Sequence, residues 1–181
     1  MKKESQSNWI SEGYKLFALE GPTGLKVEVL SKAMQKNKSS FYHLFVDKPF
    51  FISKLLDYHL QRSQEIAIEE RNCKNIIPDL LNFLTSIKID LLFNRQLRIH
   101  GNDPIFKDCL LESNKIVEAA ILEIFARDLG LGSDLSLAQS FLDLSIENFY
   151  LQINEETLNF EWLEQYIIKL KKIVLSFQKN N

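Results

Sequence analysis

An all-α fold of about nine helices is the expectation from this sequence, and three observations lead to it. Apolar residues recur three and four positions apart through most of the chain, the spacing that places them on one face of a helix. No stretch of useful length alternates apolar and polar residues as a half-buried strand would. The residues that cap or stop helices, Gly, Pro, Asn and Asp, fall at the ends of the periodic runs. With 181 residues, 45% of them hydrophobic, the chain can bury roughly 70% of its unfolded surface and needs no disulfide or metal to hold a core.

Taken in order, Asn8 to Glu20 forms a first helix with Ile10, Tyr14 and Phe17 on one face, and Gly21-Pro22-Thr23-Gly24 stops it. Leu25 to Met34 carries Val27, Leu30, Ala33 and Met34 and is too short to persist unless it packs on its neighbours. After Gln35-Lys36-Asn37, Lys38 to Leu44 forms a third helix. Two short helices joined by a tight turn and resting on a longer one make a helix-turn-helix unit, here residues 1–47. Asp47 then caps a fourth helix with Pro49 in its first turn, running to about Glu70. At about 22 residues, or ~33 Å, it links the N-terminal unit to a helical domain spanning residues 48–181.

Beyond Asn75 the expected helices are longer. Ile77 to Phe93 has Pro78 in its first turn, and a short piece from Asn94 to Ile99 ends at His100-Gly101-Asn102. Asp103-Pro104 opens a helix to about Leu129, where Gly130 and Gly132 stop it; Ser133-Asp134 opens the next, to about Ile153; a last helix spans Phe160 to Phe177.

The formal net charge of -2 hides an asymmetry. Residues 1–60 carry nine lysines against six acids, a balance of +3, whereas residues 61–181 carry 13 basic and 18 acidic groups, a balance of −5. A polyanionic partner is therefore expected at the N-terminal end. Cys73 and Cys109 stand 36 positions apart in no CxxC or Cys/His cluster, and His43, His59 and His100 form no paired-ligand spacing, so neither metal nor cofactor is expected. No glycine-rich phosphate loop or nucleophile-base motif marks an enzyme. The polar N-terminus is unlike a signal peptide, and no apolar run approaches the ~18 residues of a spanning helix, so a soluble cytoplasmic protein without membrane contact is expected.

The stretch from Lys36 to Lys48, KNKSSFYHLFVDK, concentrates the chemistry. Phe41 and Phe45, at i and i+4, can anchor one face of a short helix in a core while Ser39, Ser40, Tyr42 and His43 point elsewhere between flanking lysines.

From Trp9 to His59 the chain resembles the DNA-binding domain of the TetR family of bacterial transcription regulators. The shared features are a first helix ending in LFALEG, an apolar-patterned second helix, and a hydroxyl-bearing third helix closing on Tyr42-His43-Leu44-Phe45-Val46-Asp47-Lys48, the family's YHxFxxK pattern. Two positions depart from it. Gln35-Lys36 stands where the family usually has glycine and an apolar residue, and Lys26 stands where a threonine or serine often holds a phosphate.

The resemblance implies that Lys38, Ser39, Tyr42, His43 and Lys48 position the DNA backbone, with Lys26 supplying a phosphate contact and Lys36, Asn37 and Ser40 near bases. A seven-residue helix is ~10 Å long and suits a major groove about 12 Å wide. The resemblance also implies a small-molecule pocket in the C-terminal helices, for which Phe83, Ile87, Phe106, Leu110, Asn114, Phe141 and Ser145 are candidates, its effector unknown. The last two helices carry wide apolar faces, the final one Trp162, Leu163, Tyr166, Ile167, Leu170, Ile173, Val174 and Phe177. In the family such helices pair in a dimer, which makes Leu142, Ile146, Phe149, Leu163, Tyr166, Ile167, Leu170 and Val174 the expected interface of a homodimer. The resulting expectation is a ligand-responsive transcriptional repressor bound as a dimer to a palindromic double-stranded DNA operator. The rival is an all-α protein-interaction module without DNA binding.

Overall fold

In the computed structural model, residues 2–178 are described, with side chains from Gln6 to Ser176. Among them nine α-helices follow in order: α1 Lys2–Gly24, α2 Val27–Ala33, α3 Lys38–Leu44, α4 Lys48–Asn72, α5 Leu81–Ser86, α6 Lys88–Ile99, α7 Pro104–Asp128, α8 Leu135–Gln152 and α9 Phe160–Gln178. The described residues contain no strand, and no helix among them is long and apolar enough to cross a membrane. The chain gathers into two compact units, one formed by residues up to Ser63 with Ile89–Ser113, the other by Gln64–Lys88 with Asn114 onward.

In the first unit, α1 breaks where the sequence stops it. Gly21 takes φ 68°, a left-handed value that favours glycine, and Pro22 begins a final turn. A side chain at Gly21 would also approach Gln96 Oε1 to 2.9 Å and His100 Nε2 to 3.0 Å. Two ring clusters fill the unit. Phe41, Phe45 and Phe51 lie with centroids 4.6–5.2 Å apart, Trp9 packs its ring 5.6 Å from Phe41, and all four are 0% exposed. Phe93 stacks on Tyr14 at 4.2 Å, on Phe17 at 4.4 Å and on His59 at 4.6 Å.

The second cluster encloses polar groups. Tyr14 Oη lies 2.7 Å from His59 Nδ1 and donates to Asp90 Oδ1 at 3.0 Å, while Arg62 Nε donates to the same oxygen at 3.0 Å and its Nη2 to Asp90 Oδ2 at 3.1 Å. One proton assignment serves all of these: the phenol gives its hydrogen to Asp90 and accepts one from His59 Nδ1–H. Asp90 thus has the partners that a buried carboxylate requires. Burial away from water pushes the His59 imidazole down to about 4.

α2 and α3 are joined by Met34–Asn37. Lys36 N–H donates to Ser31 O at 2.9 Å and Gln35 takes φ 52°, so a glutamine occupies the left-handed position that commonly ends a helix with glycine. Asn37 caps α3, its side chain accepting from Ser40 N–H at 3.0 Å, and Asp47 caps α4, accepting from Phe50 N–H at 2.8 Å.

The expected helix from Ile77 to Phe93 and the separate short piece from Asn94 to Ile99 are both corrected. Ile77, preceding proline, is extended at φ −107°, ψ 121° inside a π-helical turn, Ile76–Leu80, which delays α5 to Leu81. Thr85 and Ser86 turn their hydroxyls back onto the carbonyls of Asn82 and Phe83, both at 2.7 Å, which competes with the helical ladder; α5 ends there, and Ile87 leaves helical geometry at ψ 30°. α6 then runs unbroken from Lys88 to Ile99.

In the second unit α7 ends on Gly130, at φ 71°, with Leu131 N–H returning to Ala126 O at 2.7 Å. Asp134 caps α8 and Asn159 caps α9, each accepting an amide at 2.9 Å. Tyr166 on α9 donates to Ser145 O on α8 at 2.7 Å, and Lys171 pairs with Asp128 at 2.7 Å. The side chain of Phe177, expected in the α9 stripe, lies outside the described residues.

Two outcomes are expected. Gln35→Gly removes a left-handed glutamine and should raise stability by about 0.5–1 kcal/mol after the flexibility glycine adds to the unfolded chain, read as a higher melting temperature. His59 is held neutral by the fold, so its contribution is complete above the unfolded value of 6.5 and is lost as pH falls from there to about 4. That loss amounts to about 3 kcal/mol. His59→Phe should therefore melt with a shallower dependence on acid than the wild type, and parallel profiles would contradict the assignment.

Candidate nucleic-acid interface

α3 is seven residues long, about 10 Å at ~1.5 Å per residue. Because Phe41 and Phe45 are both seated in the ring cluster, its opposite side is fixed facing outward. Lys38 and Tyr42 form one outward row at i, i+4, and Ser39 and His43 a second, all four exposed, with Tyr42 52% exposed. Lys26, Lys36 and Asn37 are exposed beside them, whereas Ser40 and Lys48 are half-buried. The residues singled out for DNA contact therefore fall on one continuous stretch, from the start of α2 through α3 to the first turn of α4.

Their hydrogen bonds differentiate them. Asn37 Oδ1 receives the Ser40 amide at 3.0 Å and the hydroxyls of Ser39 and Ser40 at 2.7 Å each, so both serines spend their hydrogens on the cap and keep lone pairs for a donor. Lys38 Nζ pairs with Glu28 Oε1 at 2.5 Å, tying α3 to α2, and this hydrogen bond holds the Glu28 carboxyl below its ordinary range. Lys48 Nζ donates to Pro22 O at 2.8 Å, satisfying the last turn of α1 with one of its three hydrogens. Lys26 and Lys36 are the lysines of this face whose charge is least committed to these contacts.

Sequence reasoning missed Val46 and Val29, which are 79% and 44% exposed. The signal for Val46 was present. Phe45 is extended, at φ −127°, ψ 107°, so successive side chains alternate and an inward Phe45 turns Val46 outward.

In the second unit, Leu142, Leu163, Leu170 and Val174, expected at a dimer interface, are buried within the chain itself, and Ile146, Phe149, Tyr166 and Ile167 are half-buried. α8 leaves four leucines open, Leu135, Leu137, Leu144 and Leu151, and the last three, at 53%, 70% and 80% exposure, are spaced seven apart and therefore in line. Beside it Phe141, Leu144, Asn148, Tyr166 and Ile173 line an open groove of about 290 Å³ between α8 and α9.

The seven expected pocket residues do not share a unit. Phe106 and Leu110 belong to the first and Phe83, Ile87, Asn114, Phe141 and Ser145 to the second. The reason is the length of α7, whose 25 residues run through both units, so that Phe106 and Asn114 on the same helix part company. Phe106 packs its ring on Phe17 at 5.6 Å, while Phe141 and Ser145 line the groove between α8 and α9.

No protein-family model, curated protein or solved structure matches the chain.

Tyr42 is 52% exposed and meets the core only through an edge contact with Phe41 at 5.3 Å, so Tyr42→Ala should lower stability by at most about 1.5 kcal/mol, whereas Phe41→Ala should lower it by about 3–5 kcal/mol. Denaturant titration of the two variants measures the contrast, and equal losses would mean that Tyr42 belongs to the core.

Proposed function

We propose that this chain is a DNA-binding transcription regulator of the TetR kind, acting as a homodimer whose α3 enters the major groove. The observation that carries the reading is the division of α3 into an inward pair, Phe41 and Phe45, and two outward rows of hydroxyl, phenol, imidazole and ammonium groups, with lysines on either side. A helix so seated sets its outward rows, with Lys26, against the phosphates and brings Lys36, Asn37 and Ser40 near base edges. Met34–Asn37 then serves as the turn of a helix-turn-helix unit, with Gln35 in the conformation that glycine often takes there.

A dimer suits this reading because two half-sites, one DNA turn of about 34–36 Å or a multiple apart, add their individual contacts. Leu137, Leu144 and Leu151 support an interface on α8 and α9, since a line of exposed leucines is what a second copy would cover. In this scheme a small effector bound by the helical remainder of the chain shifts the separation of the two recognition helices, and the operator is released, as a repressor requires.

The test is retention of genomic DNA fragments across a salt series. Affinity should fall steeply with salt, and Lys26→Ala and Lys36→Ala should each reduce the slope of log affinity against log salt by about one per half-site. Leu144→Asp should yield monomers in sedimentation and weaken operator binding. Unchanged slopes in both lysine variants would defeat the reading, and failure to retain any fragment would favour the protein-interaction module.

A further inference from the structure

The first unit contains a second concave site on the side where α1 ends and α4 begins. A cleft of about 630 Å³ opens between the end of α1, the first turn of α4, the end of α6 and the first turn of α7. Pro22, Ile52, Ile99, Ile105 and Phe106 give it an apolar part, and Ile99 and Ile105 are 52% and 50% exposed. Two isoleucines left half in water at the mouth of one cleft are what an apolar guest would cover.

Thr23, Lys48, His100, Asn102 and Asp103 supply the polar part of the lining. Lys48 uses one hydrogen on Pro22 O at 2.8 Å and has two more for a guest, and its stem is held half-buried by that bond. Asp103, the acid of the lining, is occupied as the cap of α7, accepting Ile105 N–H at 3.1 Å. His100 is held against Phe106, with ring centroids 6.3 Å apart, and its Nε2 lies close to Gly21, where a side chain would displace it. A held ammonium over apolar walls matches an anionic head on an apolar body.

We propose that this cleft binds a small organic carboxylic acid with a branched or aromatic body, its carboxylate on Lys48 Nζ and its body against Ile99, Ile105 and Phe106. Of the expected pocket residues the cleft includes Phe106 and none from the second unit. Because its test uses no DNA, it holds or fails independently of the regulator reading.

Titration of the full chain with 4-phenylbutyrate, followed by NMR of the isoleucine methyls and histidine rings, tests it. 4-Phenylbutanol and 4-phenylbutylamine serve as neutral and cationic counterparts. Binding of the acid should shift Ile99, Ile105 and His100, the alcohol should bind at least tenfold more weakly, and Lys48→Met should weaken the acid by a similar factor. Ile105→Glu, at a half-exposed position, should abolish binding even if Lys48→Met fails to fold. Equal affinity for the three compounds, preference for the amine, shifts confined to Ile173 beside the α8–α9 groove, or undiminished binding by Ile105→Glu would each overturn the proposal.

Discussion

The packing of Phe41 and Phe45 against Trp9 and Phe51 is the constraint on which the rest of the first unit depends. Neither α2 nor α3 exceeds seven residues, and helices that short have no stability of their own in water. Their geometry is imposed by burying rings at i and i+4, which fixes the rotation of α3 about its axis and so decides which side chains face solvent. Lys38, Ser39, Tyr42 and His43 are outward because Phe41 and Phe45 are inward. The Lys38–Glu28 ion pair adds little to this, since both groups are more than half exposed and water screens their attraction.

The polar cluster of Tyr14, His59, Arg62 and Asp90 plays a different part. Rings alone slide; a carboxylate that needs both its guanidinium and its phenol fixes the register of α1, α4 and α6 within the unit. Such a cluster is strongly destabilised by removing one member, because the survivors stay buried. Glu70, in the second unit, shows the contrast: it is 2% exposed, its Oε2 has no hydrogen-bond partner, and burial pushes its carboxyl up to about 8. A buried acid without partners keeps its proton.

Much of the helical order was legible in the sequence because it rests on local chemistry. Asp47 and Asp134 cap where expected, and Gly21 and Gly130 stop helices at positive φ. The break at Ile87 was hidden, since the apolar spacing continues across it and the cause is two hydroxyls choosing their i−3 carbonyls over solvent. The outward side of α3 was readable from Phe41 and Phe45 alone. Which α8 and α9 residues stay exposed was not, because a wide apolar stripe does not say how much of it the chain itself covers; Leu142 and Leu163 fall inside, and Leu144 and Leu151 remain in water. The engagement of Lys48 by Pro22 depends on a contact 26 residues away in sequence, which no local pattern reports.

The proposed function requires that the outward side of α3, and not another surface, meets DNA. Hydrogen exchange of the free chain and of the chain bound to its best-retained genomic fragment tests this most directly. New protection is expected from Lys36 through Val46 and at the start of α2, centred on the amides of α3. Protection that leaves these segments unchanged and appears elsewhere in the chain would contradict it.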